Sequence, residues 1–276
     1  MSAAQPEIQS RGLQTTAGRL LLTSLQLVAF WPVWSWWMER MMSFPENRAG
    51  LASLAAVMVF LVGYTMSGKL RAPRLAVPTV LLFCFAATHP FVHPLVGAGI
   101  AVLSVGWTIL SMLSGASYGI LGLMLLSLPV IPSLQTYVGY PLRVVVAAVA
   151  APWIRLAGFT VEREGVCLRW GNELVMVDEP CSGIKMLWAG LALACALSAM
   201  HGLNGRRTML AVGAAAMAVV GANILRCCAL FYAESGMVVL PLWGHEAVGI
   251  LVFGIFAGAL AWGIARLKGR QTCAPA

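Results

Sequence analysis

The chain has 276 residues, of which 60% are hydrophobic and only 10% are charged. Soluble domains carry about 25% charged residues, so this composition excludes an ordinary soluble enzyme and a disordered chain. The formal net charge of +8 does not indicate a nucleic-acid binder, because the basic residues lie between long apolar runs and form no single stripe. A polytopic helical membrane protein is therefore predicted. Since one span needs roughly 20 apolar residues, the chain has room for about eight.

The first half of the chain contains a series of apolar runs, each predicted to be a span. They cover Leu20 to Met38, Leu51 to Ser67, Leu75 to Phe91, Leu95 to Leu113, and Tyr118 to Ile131. The first run is too long for the core of a signal peptide, and no small-x-small cleavage site follows it, so it predicts an uncleaved span. The last run is short and contains Pro129, which makes it the least regular of the series.

The pattern changes between Gln135 and Pro180, where prolines, tyrosines and charges accumulate. Pro141 to Gly158 predicts a helix that lies at the membrane interface. Thr160 to Val177 alternates like strands, with turn signals at Glu164-Gly165 and Gly171-Asn172, and predicts a small β-hairpin. Residues 135–180 are therefore predicted to be an extracytoplasmic insertion within a single integral membrane domain, residues 1–276.

Apolar runs resume at Ile184 to Met200, Thr208 to Cys228 and Ala247 to Arg266, which brings the predicted total to eight spans. If the N-terminus is cytoplasmic, the inner segments hold ten of the 18 basic residues and only one of the ten acids, Glu7. This asymmetry is what the positive-inside rule expects. The fold class is thus predicted to be all-α, a bundle of about eight transmembrane helices with a small extracytoplasmic insertion.

Three polar clusters would then meet the membrane at its outer face. The first is the sequence EPCSGIK, which contains Glu179, Cys181, Ser182, Gly183 and Lys185 and leads into the sixth span. The second is NILR, with Asn223 and Arg226, near the outer end of the seventh span. The third is GHE, with His245, at the start of the eighth span. One cysteine, one arginine and one histidine are therefore predicted at one depth.

Such a trio suggests acyl transfer through a thioester. A helix N-terminus and a neighbouring cation lower the pKa of a thiol, and Cys181 precedes a predicted helix. His245 can take and return a proton near neutral pH. Arg226 stays protonated and can stabilise the oxyanion that forms when a thiolate attacks a carbonyl.

Each residue also has an ordinary structural interpretation. Cysteine is a common small buried residue, which is the interpretation favoured for Cys84, Cys195, Cys227 and Cys228. An arginine near a span end often extends to the lipid head groups, and an interfacial histidine is often only hydrogen-bonded. The seven cysteines contain no CxxC pair, and no metal or cofactor is expected.

The motifs EPCSGIK, NILR and GHEAVG, in this order, resemble the exosortase/archaeosortase family. The family pattern is a cysteine in C-S/T-G, an arginine in N-x-x-R and a histidine, usually after a glycine. The likeness covers about Gly119 to Lys268. Many relatives have an alanine before the cysteine and an arginine after the C-S-G-x stretch, where this chain has Pro180 and Lys185.

The resemblance implies a multi-pass membrane cysteine protease and transpeptidase in the bacterial inner membrane, with its active site facing the periplasm. It implies Cys181 as nucleophile, Arg226 as transition-state stabiliser and His245 as general acid/base. Asn223, Ser182, Gly183, Glu179 and Lys185 are expected to support them. The implied substrates are membrane-anchored proteins with a C-terminal sorting tail, made of a short signature such as Pro-Glu-Pro, a transmembrane helix and a basic cluster. The acceptor is not specified, and no nucleic acid is expected.

Two other classes of function stay open. One is a transporter or channel without covalent chemistry, although charges are nearly absent from the span centres, where a substrate path usually needs them. The other is an accessory subunit of a polysaccharide export system. A catalytically inactive relative would be expected to lack one of the three residues, and this chain has all three.

Overall fold

The chain is helical over most of its length in a computed structural model, which describes residues 16–66, 71–113, 115–171, 173–176, 183–234, 237, 241 and 243–269. The helices are α1 Thr16–Ala29, α2 Trp31–Ser43, α3 Ala49–Met66, α4 Ala76–Thr88, α5 Pro94–Met112, α6 Gly119–Leu126, α7 Val130–Leu134, α8 Tyr140–Leu156, α9 Ile184–Met200, α10 Gly205–Glu234 and α11 Gly244–Gly269. Short 3₁₀ and π segments cover Pro45–Arg48 and Gln135–Gly139.

Within the described residues, five helical stretches are long and apolar enough to cross a membrane. They are Pro45–Met66, Pro94–Met112, Val130–Leu156, Gly205–Ala233 and Glu246–Leu267. Shorter apolar helices cover Leu20–Ala29, Ala76–Thr88 and Ile184–Met200. The prediction of an all-α membrane protein is therefore confirmed.

The first predicted span is divided into two helices. Helix α1 ends at Ala29 and α2 begins at Trp31, with a turn at Phe30. Pro32 causes the break, because it has no N–H to donate to the carbonyl four residues earlier. The indole N–H of Trp34 donates to the carbonyl of Leu27 over 2.8 Å, which satisfies one group that the break leaves free. The predicted span from Leu20 to Met38 is therefore built from two helices with a turn between them.

The middle of the chain also differs from the prediction. Helices α7 and α8 are joined through the π segment, so that the helical stretch Val130–Leu156 is 27 residues long. The sequence predicted a helix at or near the interface over Pro141 to Gly158, from its apolar residues with Arg143 and Arg155 near the ends. Pro141 lies in the first turn of α8, directly after the π segment, whose wider turn accommodates the irregular hydrogen bonding there.

Helix α8 is followed by a three-stranded antiparallel sheet in the order β1-β2-β3, with β1 Val161–Glu164, β2 Cys167–Trp170 and β3 Glu173–Met176. The sequence predicted a hairpin, and the structure adds a third strand. Gly165 and Gly171 have φ values of +63° and +58°, in the region that favours glycine. Both glycines therefore lie at turns, as the sequence predicted.

The chain divides into two compact units. Unit 1 comprises Met1–Val130 and Ser198–Thr208, and unit 2 comprises Ile131–Leu197 and Met209–Ala276. The core of unit 1 surrounds Phe30, which is fully buried and packs edge-to-face on Phe85 with 5.0 Å between ring centroids. The core of unit 2 joins α8, the sheet and the last turns of α10 through residues such as Ile154, Leu168 and Phe231.

Candidate active site

Two polar side chains of α10 lie three residues apart and approach two other helices of unit 2. Asn223 is almost completely buried, and a Cβ atom added to Gly183 would lie 2.7 Å from its Cγ atom. A Cβ atom added to Gly249 would lie 3.1 Å from Nε of Arg226. Residues three apart share a helix face. One face of α10 therefore approaches both the start of α9, through Asn223, and the first turns of α11, through Arg226.

Gly183 is the residue at which the chain enters α9. Its φ of +76° lies in the region that favours glycine. Its carbonyl accepts a hydrogen bond from the N–H of Leu187 over 2.7 Å, so Gly183 caps the helix. Any side chain at this position would be strained by the backbone and would also collide with Asn223. The glycine of the C-S-G motif therefore allows both a sharp helix entry and a close approach of α10.

The three motifs contribute to one cavity of about 400 Å³ in unit 2. It opens between the N-terminal ends of α9 and α11, with α10 beside them. Its walls are formed by Gly183, Lys185, Met186, Ala189, Arg226, Glu246, Gly249, Ile250 and Phe253. The polar groups lie towards the helix starts, and the apolar side chains continue along α9 and α11. The cavity is thus an apolar groove with a charged end.

The charged end favours anions. Lys185 and Arg226 contribute two cations, and Glu246 contributes one anion in the first turn of α11. The N-terminal ends of α9 and α11 add the partial positive charge of their helix dipoles, which makes them suitable places for an anion. Such an environment lowers the pKa of a thiol and stabilises an oxyanion.

The structure describes only part of the predicted site. Gly183, Lys185 and Arg226 line the cavity, and Asn223 contacts Gly183. Glu179, Cys181 and Ser182 lie outside the described residues.

His245 belongs by its backbone to the first turn of α11, one residue before Glu246 and four before Gly249. Its side chain also lies outside the described part of the structure. The convergence of Cys181, Arg226 and His245 therefore stays a prediction, while their neighbours in the three motifs share one cavity.

A family model described as a transmembrane exosortase matches residues 19–262 of the chain. The chain belongs to this exosortase family. No curated protein and no solved structure matches it. The match extends well beyond the motif-bearing half and includes the helices of unit 1, in which the sequence alone offered only hydrophobicity.

Neighbouring residues of α10 belong to the core of unit 2. Cys227 and Phe231 are buried against α8 and the sheet, and Cys228 packs against the same core. Cys195 is also buried, so the structural interpretation of these three cysteines is confirmed. Cys84 is exposed on α4, where burial was expected. Among the described residues, no three His, Cys, Asp or Glu side chains are grouped so that they could hold a metal ion.

Sequence reasoning missed several residues of the cavity. Glu246 stands inside the third motif but was not assigned to the site, and Gly249 was not considered. The apolar wall residues Met186, Ala189, Ile250 and Phe253 were also missed. The signal was present in the helical spacing, because 246, 249, 250 and 253 follow the i, i+3, i+4, i+7 pattern of one helix face.

Proposed function

We propose that this exosortase is a membrane cysteine protease and transpeptidase that cleaves C-terminal sorting tails through a thioester intermediate. Cys181 is the nucleophile, Arg226 stabilises the oxyanion, and His245 is the general acid/base. Gly183, Asn223, Ser182, Glu179 and Lys185 support them. The observation that carries the proposal is the single cavity that receives residues from all three motifs.

Chain connectivity supports the assignment of the nucleophile. Cys181 precedes Gly183 by two residues, and two residues span at most about 7 Å. Gly183 lines the cavity beside Arg226. His245 stands four positions before Gly249, which approaches Arg226, and residues four apart share a helix face. In the sequence, the proposed nucleophile and base therefore stand within four positions of residues that line the cavity.

These three residues and an acceptor amine or water account for every bond and proton in the proposed reaction. The thiolate of Cys181 attacks the scissile carbonyl, and the oxyanion of the tetrahedral intermediate is stabilised by the guanidinium of Arg226. Protonated His245 donates its proton to the leaving amine as the C–N bond breaks, which leaves a thioester on Cys181. An acceptor amine or water then attacks the thioester while neutral His245 removes its proton. The thiolate leaves, and the enzyme returns to its starting state.

The apolar part of the cavity suits a substrate that is itself membrane-anchored. Met186, Ala189, Ile250 and Phe253 continue from the charged end along α9 and α11. A sorting tail has its signature directly before a transmembrane helix. The signature would then reach the charged end while the apolar residues that follow lie along the groove.

The proposed topology has eight spans, with both termini in the cytoplasm and the part of the predicted insertion 135–180 that follows α8 outside. The first part of that insertion belongs to Val130–Leu156, which is itself long and apolar enough to be a span. The cavity would open at the periplasmic face of a bacterial inner membrane. The charge asymmetry of the sequence supports this orientation. A reporter fused at Gly171 is expected to be extracytoplasmic, and a cytoplasmic reading would contradict both the topology and the location of the site.

The test is to co-express a tailed substrate and follow its shortening. Cys181→Ser is expected to abolish processing, because a serine hydroxyl has a far higher pKa than a thiol and is a poor nucleophile in a site suited to a thiolate. Cys195→Ala is the matched control, since Cys195 is buried in α9 away from the cavity lining, and it should process normally. Normal processing by Cys181→Ser would overturn the proposal in favour of a transport or accessory role.

A further inference from the structure

A second cavity lies in unit 1, far in sequence from the three motifs. Its volume is about 430 Å³, and it lies where the segment before α4 passes the last turns of α5. It is lined by Arg71, Ala72, Arg74, Trp107, Leu110, Ser111, Leu113, Ala116 and Tyr118. The lining therefore combines two guanidinium groups with two aromatic rings and aliphatic side chains.

The two arginines are held in place by their backbones. The N–H of Arg71 donates to the carbonyl of Met112 over 2.7 Å. The N–H of Arg74 donates to the hydroxyl of Ser111 over 3.0 Å, and that hydroxyl donates to the carbonyl of Thr108. The segment before α4 is thus attached to α5 at two points, and both arginines start from a defined position.

Their charges have no acidic counterpart at the cavity. Both side chains are exposed, and within the part of the chain that the structure describes neither guanidinium forms a hydrogen bond or an ion pair. No acidic residue belongs to the lining. The C-terminal carbonyl groups of α5 attract cations, which explains why basic residues lie here. It does not explain why the basic residues line a cavity with aromatic walls.

A second basic pair follows a glycine that approaches Tyr118. A Cβ atom added to Gly205 would lie 3.3 Å from the ring of Tyr118, and Arg206 and Arg207 follow Gly205 at the start of α10. The Nη1 atom of Arg207 is buried, and it has no hydrogen-bond partner among the described residues. Arg71 and Arg74 line the cavity with Tyr118, and the second basic pair follows directly on the glycine that approaches the same ring.

We propose that this cavity binds the phosphate group of an anionic phospholipid, with Arg71 and Arg74 contacting the phosphate and Trp107 and Tyr118 lying beside the glycerol and the first part of the acyl chains. Basic cavities between transmembrane helices are suited to anionic head groups. Tryptophan and tyrosine are the residues typical of the membrane interface. The combination favours a lipid over a free phosphate ion, for which aromatic and aliphatic walls would offer nothing.

The experiment measures lipid binding to the purified full chain in detergent by native mass spectrometry. Dioleoylphosphatidylglycerol and dioleoylphosphatidylcholine, which have the same acyl chains, are offered at equal concentration. The wild-type chain should retain phosphatidylglycerol preferentially. Arg71→Gln with Arg74→Gln should weaken that binding roughly thirtyfold, since each basic residue near an anionic head group contributes about a factor of five.

The matched control is Arg163→Gln with Arg169→Gln. These arginines are exposed on the sheet, and the change removes the same two charges from the chain. It should leave the preference for phosphatidylglycerol intact. If it lowers the preference as much as the cavity variant does, only net charge matters and the site does not exist.

Two further arms separate the remaining outcomes. Arg71→Lys with Arg74→Lys keeps the charge and should retain most of the preference, which excludes misfolding as the cause of any loss in the glutamine variant. Glycerol phosphate in large excess should not displace the bound lipid. Displacement would identify a site for soluble phosphate esters and overturn the lipid assignment. Unchanged binding in both double variants would overturn the site itself. None of these results depends on the proposed protease activity.

Discussion

The two units differ in where several of their polar side chains lie. In unit 1 some of them bond to one another or to backbone carbonyls: the side-chain amide of Gln26 donates to Thr108 over 2.9 Å, Thr108 donates to the carbonyl of Ser104, and Ser117 donates to the carbonyl of Leu203 over 2.8 Å. In unit 2, Asn223 and Arg226 approach glycines at the entrances of other helices, beside an open cavity. Unit 1 uses polarity to join helices, and unit 2 uses it to build a site.

The glycines show the same contrast. A Cβ atom on Gly50 in unit 1 would meet the backbone carbonyl oxygen of Ser127 at 2.6 Å, so this glycine serves helix packing alone. Gly183 and Gly249 instead make room for polar side chains of α10. Substitutions matched between the two units should therefore separate effects on activity from effects on stability.

The largest effect is expected at Arg226, compared with a second arginine on the same helix. Arg226→Lys should lower substrate processing about 100- to 1,000-fold, the usual loss when one oxyanion donor is removed, because an ammonium group cannot reproduce the planar fork of a guanidinium. Arg207→Lys, at the other end of α10, should process normally. The measurement is the rate at which a co-expressed tailed substrate is shortened. Equal losses in both variants would contradict a special role for Arg226.

A pair of glycines with positive φ comes next. Gly183→Ala and Gly202→Ala both introduce backbone strain, since their φ values are +76° and +60°. An added Cβ atom collides with Asn223 only at Gly183, whereas nothing lies within 4 Å at Gly202. Gly183→Ala should therefore lower processing by up to about 100-fold, as displacements near 1 Å can do, while Gly202→Ala should only lower thermal stability. If both variants lose stability alike and keep activity, the contact with Asn223 has no role in positioning.

A smaller effect is expected on α11. Gly249→Ala places a methyl group 3.1 Å from Nε of Arg226, so the arginine must shift by a few tenths of an ångström. We expect processing to fall about fivefold to tenfold, a fraction of what a full 1 Å displacement costs. Gly254→Ala is the control on the same helix, because nothing lies within 4 Å of its added Cβ atom. Should Gly254→Ala prove as damaging, the effect would belong to the helix and not to the site.

The smallest effect is a change in stability alone. Thr108→Val removes the acceptor of the hydrogen bond that Gln26 of α1 donates to α5, together with the bond from Thr108 to Ser104 within α5. An interhelical bond of this kind contributes about 0.6 to 1 kcal/mol in membrane proteins. Processing should not change, while unfolding in increasing denaturing detergent should begin earlier. Thr65→Val is the control, because the hydroxyl of Thr65 donates only to a carbonyl of its own helix. Its stability should be nearly unaffected. A loss of activity in Thr108→Val would place unit 1 in the catalytic machinery.

Hydrophobicity predicted the regular helices well, because apolar length determines which segments can cross a bilayer. Helix α9 covers Ile184–Met200 as predicted, and α3, α5 and α11 begin and end within a few residues of the predicted spans. Proline effects were harder to foresee, since they depend on how neighbouring groups satisfy the free carbonyls. Pro32 divides one predicted span, whereas Pro141 lies within a helix that continues from the residues before it.

The motifs indicated which helix ends matter, but not how they meet. Motif order and a common predicted depth suggested that Gly183 and Arg226 lie near each other, and the structure places both at one cavity. The approach of Gly249 to Arg226 required knowing how α10 and α11 are rotated about their axes. That rotation is set by side-chain packing, such as Phe256 against Gly221, which a single sequence does not display.

The central claim is that residues of the three motifs share one site, and cysteine cross-linking tests it most directly. The test uses a chain whose cysteines other than Cys181 are replaced by alanine. A second cysteine is then introduced at one of two positions of α11. Glu246→Cys lies in the cavity lining, whereas Leu251→Cys is exposed and lies outside that lining. A short bifunctional thiol reagent should join Cys181 to position 246 and not to position 251, as detected by linked tryptic peptides. Cross-linking to position 251 alone, or equally to both positions, would contradict the account.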